Sequence, residues 1–90
     1  MADCRIIKVR KPNRYSPHEH ITHVQIIDLI YPRSMIIGYI DDGSNTFYTY
    51  DDITHKRADV FVRRIKGLDP FIQTYADNDW GDNLLSLPPC

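Results

Sequence analysis

The sequence predicts a small α+β domain: one antiparallel sheet of four to five strands, one short helix on a face, and a docked C-terminal tail. Three observations predict it. Residues 46–50, 57–65 and 71–75 are rich in β-branched and aromatic side chains and are joined by short polar links, the pattern of an antiparallel meander. Between Ser34 and Gly43, Ile36, Ile37 and Ile40 fall on one face at helical spacing. The chain closes on Asp82-Asn83-Leu84-Leu85-Ser86-Leu87-Pro88-Pro89-Cys90, where three leucines can tie down an end that would otherwise fray.

Taken in order, residues 4–9 read as a first strand, with β-branched Ile6, Ile7 and Val9. Residues 11–17 are a loop broken by Pro12, Asn13, Ser16 and Pro17. A second strand over residues 20–29 follows from its Ile, Val and Thr content. Ser34 is placed to cap a helix by accepting a backbone N–H bond, and Gly43 to stop it in the left-handed conformation. Gly38 weakens that helix. The rival is a strand over residues 35–40 closed by a turn at Asp42-Gly43.

In Thr46-Phe47-Tyr48-Thr49-Tyr50, alternation puts Phe47 and Thr49 on one face and Tyr48 and Tyr50 on the other. In the next strand Ala58, Val60 and Val62 turn inward. Gly67 turns the chain before the strand at Phe71. The expected core is Ile6 or Ile7, Val24, Ile26, Val60 and Val62, together with the helix face Ile36, Ile37 and Ile40 and the C-terminal leucines.

Ninety residues are one domain, here residues 1–90, with a modest core. Apolar residues at 42% and charged residues at 26% fit a folded soluble chain rather than a disordered one. No apolar run approaches the roughly 20 residues that span a bilayer, and the start lacks a charged-then-apolar signal pattern, so a cytoplasmic protein is expected. The formal net charge of −1 gives no global pull toward nucleic acid or acidic membranes. Arg5, Lys8, Arg10, Lys11 and Arg14 cluster near the start. Asp41, Asp42, Asp51 and Asp52 lie mid-chain and Asp77, Asp79 and Asp82 near the end, so basic and acidic segments are expected to pair in the fold. Cys4 and Cys90 form no Cys-x-x-Cys, and a disulfide is not expected in a reducing cytoplasm.

The chemical candidates are few. His18-x-His20-x-x-His23 has metal-ligand residue types, but on a strand His18 and His20 point opposite to His23, and a structural hydrogen bond at His20 is the simpler reading. Asp77-x-Asp79-x-Gly81-Asp82 suggests a calcium loop yet fails the EF-hand template, with aspartate where the glycine belongs and Pro88 where the glutamate belongs. Tyr48, Tyr50, Phe61, Phe71 and Tyr75 on adjacent strands, with Arg63 and Arg64 nearby, could stack nucleic-acid bases, but no RNP-type motif accompanies them. No phosphate loop, nucleophile elbow or His-Glu-x-x-His is present, and neither cysteine has a local base. No catalytic residue, cofactor or metal is expected.

One set of residues does carry a resemblance. His20-Ile21, a short helix ending at Gly43, Thr46-Phe47-Tyr48-Thr49, Arg57-Ala58-x-Val60-x-Val62, Thr74-x-Ala76-Asp77 and the closing Asp82-Asn83-Leu84-Leu85-x-Leu87-Pro88-x-Cys90 resemble a family of small bacterial proteins, domain of unknown function 3892. The likeness runs from about His20 to Cys90. It favours the helix over the strand before Gly43. It implies no activity and no catalytic residue. The apolar, tyrosine-bearing stretch over residues 27–37 departs from the longer polar segment of that family.

The functional expectation is therefore a small non-enzymatic module that binds a protein partner or itself. Its motive is the apolar content of residues 27–39, more than so small a domain buries. The alternative is a binder of a small ligand or nucleotide, and nucleic acid comes after both. The candidate surface comprises His20, Tyr31, Tyr39, Tyr48, Tyr50, Asp82 and Asn83.

Overall fold

Consecutive amides divide this chain between two sheets: Ile6 donates to the Tyr48 carbonyl at 2.8 Å and Ile7 to the Gln25 carbonyl at 3.0 Å. The computed structural model describes residues 2–13, 15–76 and 78–90. Arg14 of the basic cluster and Asp77 of the calcium-like run lie outside the described residues. In chain order the elements are β1 (Ala2–Arg5), β2 (Lys8–Arg10), a 3-10 turn (His18–His20), β3 (His23–Ile26), β4 (Leu29–Pro32), α1 (Arg33–Asp42), β5 (Asn45–Asp51), β6 (Lys56–Arg63), β7 (Phe71–Ala76) and β8 (Asp79–Gly81). The fold class is α+β, with one α-helix among the described residues, as the sequence predicts.

The strands form a five-stranded sheet, ordered β1-β5-β6-β7-β8, and a three-stranded sheet, ordered β2-β3-β4. β1 runs parallel to β5, and the other pairings between these strands are antiparallel. Two expected strands are therefore corrected. The strand over residues 4–9 breaks at Ile6-Ile7, because successive strand amides point to opposite sides and here each side meets a different sheet. The strand over residues 20–29 becomes a 3-10 turn and a hairpin strand, with Ile26 paired to Leu29 across a two-residue turn, Ile27-Asp28. A further strand, β8, was not anticipated.

The meander is as expected. Phe47 faces Val60 and Thr49 faces Ala58 on the inward side, while Tyr48 faces Asp59 and Tyr50 faces Arg57 on the outward side. The helix starts one residue before Ser34. Its N-cap is Pro32, with no side-chain cap bond, so Ser34 does not cap it. Gly43 ends the helix at φ 74°, and the amides of Gly43 and Ser44 return to the carbonyls of Ile40 and Tyr39.

Ile36 is buried, and Ile37 and Ile40 pack beside it. They close over a core of Ile6, Val9, Ile21, Val24, Phe47, Val60, Ile72 and Leu84. Ile26 packs against this core from its edge, and Val62 is half-buried rather than central.

The tail docks. Leu84 is fully buried, with Leu85 and Leu87 against the core. Pro89 bridges Val9 in parallel; Val9 donates to the Pro88 carbonyl and Cys90 to the Val9 carbonyl, so the tail extends the small sheet beside β2. Lys11 Nζ and Arg10 Nε donate to the carbonyls of Leu85 and Cys90. Part of the basic cluster thus secures the tail, and among its described residues only Arg5 pairs with the mid-chain acids, at Asp52. Both cysteines are free thiols. No helix among the described residues is long and apolar enough to cross a membrane.

Candidate functional site

The expected site residues fall into separate places. Tyr31 of β4 and Tyr39 of α1 line one cavity of about 120 Å³ with Cys4, Ile26, Ile36 and Phe47. The Tyr39 ring lies 6.3 Å from Phe47. Both tyrosines are half-buried packing residues. His20 is exposed at the end of the 3-10 turn, apart from the others.

Asp82 and Asn83 form the turn that starts the tail. The Asp82 carbonyl accepts from the amides of Leu85 and Ser86, and Asn83 Oδ1 accepts from the Thr74 hydroxyl at 3.0 Å. Asn83 and Tyr50 both line a groove of about 560 Å³, with Arg5, Asp52, Ser86 and Leu87 among its walls. That groove holds two of the expected residues.

Tyr48 and Tyr50 stand on the outward face of the large sheet, because strand alternation turns Phe47 and Thr49 inward. The Arg57 guanidinium sits 4.1 Å from the Tyr48 ring, Arg5 lies 5.4 Å from Tyr50, and Arg63 lies 4.9 Å from Trp80. Phe61, Tyr75 and Trp80 continue the row edge to face. Trp80 is a member that sequence reasoning missed. Its signal was Asn78, which adopts φ 63°, a conformation asparagine tolerates.

This face resembles a base-stacking platform in residue type only. Arg57 is held by Asp3 at 2.8 Å and by Asp59 at 2.9 Å. Those bonds keep the Asp3 carboxyl below its ordinary range and raise Arg57. Arg5 is paired with Asp52, and Arg63 donates to Gln73 Oε1. The arginines are committed within the molecule, and a phosphate backbone needs cations that are not.

The histidines do not gather. His23 Nδ1 lies 3.0 Å from Thr22 Oγ1, and among the described residues no three His, Cys, Asp or Glu side chains group to hold a metal. His18 is only 6% exposed, and its Nε2 is buried with no hydrogen-bond partner among the described residues. Burial lowers its pKa despite the opposing charges of Asp82 and Glu19, and Arg63 and Lys11 push the same way as burial.

The most distinctive surface lies at the β3–β4 hairpin and the start of α1. Ile27 is 79% exposed, Leu29 59%, and Ile30 and Met35 44% each. Nothing in β4 is charged. Ile27 also adopts φ 56°, where a β-branched residue is a genuine outlier. Gln25 Nε2 donates to its carbonyl at 3.0 Å and helps hold the turn. The sequence flagged the apolar content here but not the turn, because Ile-Asp carries no turn signal.

A family model described as "Protein of unknown function (DUF3892)" matches residues 5–88. No curated protein and no solved structure matches the chain.

Proposed function

The chain belongs to the DUF3892 family, and we propose that it works as a small non-enzymatic protein-interaction module in the cytoplasm, docking through the β3–β4 hairpin. The observation that carries this reading is the exposure of Ile27, Leu29, Ile30 and Met35 within one short stretch. Single exposed apolar residues need no explanation, but four within nine residues of a hairpin and the adjoining helix turn support a contact surface. Each such side chain contributes about 1.5–3 kcal/mol when it is fully buried against a partner. The uncharged edge of β4 adds to the case, since an edge strand that meets only water usually carries charge.

The test is a photo-crosslinking residue in place of Leu29, activated in the living source cell. The expected product is one discrete crosslinked species, lost when Ile27→Asp is added. Crosslinks spread over many proteins in proportion to their abundance would end this reading.

A second reading is supported by the groove that brings Tyr50 and Asn83 together. It takes a small polar ligand between Arg5, Asp52 and Ser86. Native mass spectrometry of protein drawn gently from its own lysate separates the two readings. An added mass of a few hundred daltons favours the groove, and a protein in fixed ratio favours the hairpin.

A further inference from the structure

We propose that the 3-10 turn over His18–His20 is an acid-operated latch: when His18 takes up a proton, the turn lifts from β7 and releases the Arg33 side chain at the head of α1. The latch does not depend on the hairpin being a docking element.

The turn packs against β7. Its own bonds are short-range: the His20 amide donates to the Pro17 carbonyl and the Ile21 amide to the His18 carbonyl, each at 3.0 Å. Among the described residues no hydrogen bond joins residues 16–21 to β7, where the Gln73 amide and the Thr74 hydroxyl donate to Gly81 and Asn83 instead. Burial alone therefore holds the turn down, and it comes from His18 and from the fully buried Ile21. A segment held in this way, with no backbone ladder to its neighbour, opens at lower cost than the strands beneath it.

His18 makes that burial conditional on pH. Its Nε2 is buried with no hydrogen-bond partner among the described residues. A neutral imidazole tolerates this better than an imidazolium, which carries an N–H on both ring nitrogens and would bury an unpaired charged donor. The charged groups that face it oppose one another. Asp82 at the start of the tail and Glu19 on the turn favour the cation, whereas Arg63 of β6 and Lys11 after β2 disfavour it. β7 contributes no charged side chain. Burial decides against the proton and holds the imidazole below its ordinary 6.5. In the lifted turn the ring meets water, so below that ordinary value proton uptake favours lifting.

The same turn restrains α1. The Glu19 carbonyl accepts from Arg33 Nη1 at 2.8 Å. Arg33 is the first residue of α1, and the ion pairs among the described residues do not include it. Lifting the turn removes its acceptor and leaves a free guanidinium two residues from the exposed Met35.

Amide hydrogen exchange from about pH 7.5 to about pH 5, repeated in low concentrations of urea, tests this. A single turn does not persist away from its packing surface, so protection of the His20 and Ile21 amides reports lifting. In the wild-type chain it is expected to fall by up to about tenfold for each unit of pH below 6.5, the signature of one proton taken up. It is also expected to respond little to urea, because lifting exposes little surface, whereas amides within β5 and β6 follow the urea-dependent unfolding of the whole chain. His18→Gln, which stays neutral, removes the pH response of the turn. His20→Gln, at an exposed position, leaves it in place.

Turn amides whose protection follows the same urea dependence as β5 and β6 would overturn the latch, since the turn would then open only with the whole chain. Protection that does not change with pH in the wild-type chain overturns it as well, as does a pH response that survives in His18→Gln.

Discussion

The Thr74 hydroxyl donates to Asn83 Oδ1 at 3.0 Å, joining the middle of β7 to the turn that launches the tail. Thr74 is completely buried. Gly81 lies flat against the pair: a Cβ there would stand 2.7 Å from Asn83 Oδ1 and 3.3 Å from Thr74 Oγ1. The Asp82-Asn83 motif thus acts through packing in this fold. Removing the acceptor strands a buried hydroxyl, so Asn83→Ala is expected to cost about 1–3 kcal/mol in urea unfolding. Asn83→Asp, which keeps an acceptor at that position, is expected to cost less. Gly81→Ala is expected to cost about 1–3 kcal/mol by crowding the same oxygen. Equal stability of Asn83→Ala and wild type would remove the bond from any role in stability.

The tail leucines are unequal. Leu84 is fully buried in the core, whereas Leu85 and Leu87 are half-buried. Leu84→Ala is expected to cost about 2–5 kcal/mol, more than Leu85→Ala or Leu87→Ala. Thermal denaturation orders the three. Deletion of everything after Asn83 removes Leu84 together with the Pro88 and Cys90 bonds to Val9, and is expected to lower Tm by more than any single leucine change. An unchanged Tm in the deletion would mean that the tail is not docked in solution.

His18 sets an acid limit on stability. Its pKa in the folded chain is below the ordinary 6.5, chiefly through burial. Above that ordinary value the imidazole is neutral in both folded and unfolded chains, and stability is at its full level. As pH falls below it, the unfolded chain takes up a proton that the folded chain resists, so stability drops. Asp3, Asp42 and Asp51 also lie below their ordinary 3.8 in the folded chain, and their losses come at more acid pH. The expected profile has two steps. His18→Leu, which removes the buried Nε2, is expected to erase the step that sets in below pH 6.5 and leave the acid step in place. A single step in both proteins would show that His18 does not titrate as its burial requires.

These residues also show how far the sequence could be read. The meander was legible because Phe47, Thr49, Ala58 and Val60 alternate strictly with polar or aromatic outward residues, and period two survives any tertiary context. Gly43 was legible because a left-handed helix stop favours glycine. The break at Ile6-Ile7 was not legible: both residues are good strand formers, and only the arrival of two different sheets decides that their amides part. The Ile27-Asp28 turn was hidden for the opposite reason, since its chemistry argues against a turn. For the candidate site, residue type pointed to tyrosines. Only the packing of the elements could separate Tyr31 and Tyr39, which pack against the core, from Tyr48 and Tyr50, which face outward.

Arg57 gives the last prediction, at the centre of the outward face. It bonds Asp3 and Asp59 and lies over Tyr48, so one guanidinium ties β1 to β6 across β5. Arg57→Ala is expected to move the Asp3 carboxyl back up toward its ordinary 3.8, because the largest cause of its depression is the hydrogen bond to Arg57. The Thr46 hydroxyl, 2.8 Å from Asp3 Oδ1, remains and holds back part of the rise. Arg57→Lys is expected to give an intermediate value, since an ammonium keeps the charge but not the fork that spans two carboxylates. NMR titration of the aspartate carboxyls reads all three proteins. If the Asp3 titration does not move in Arg57→Ala, the pair is not formed in solution, and the arginine becomes available to an anionic partner at this face.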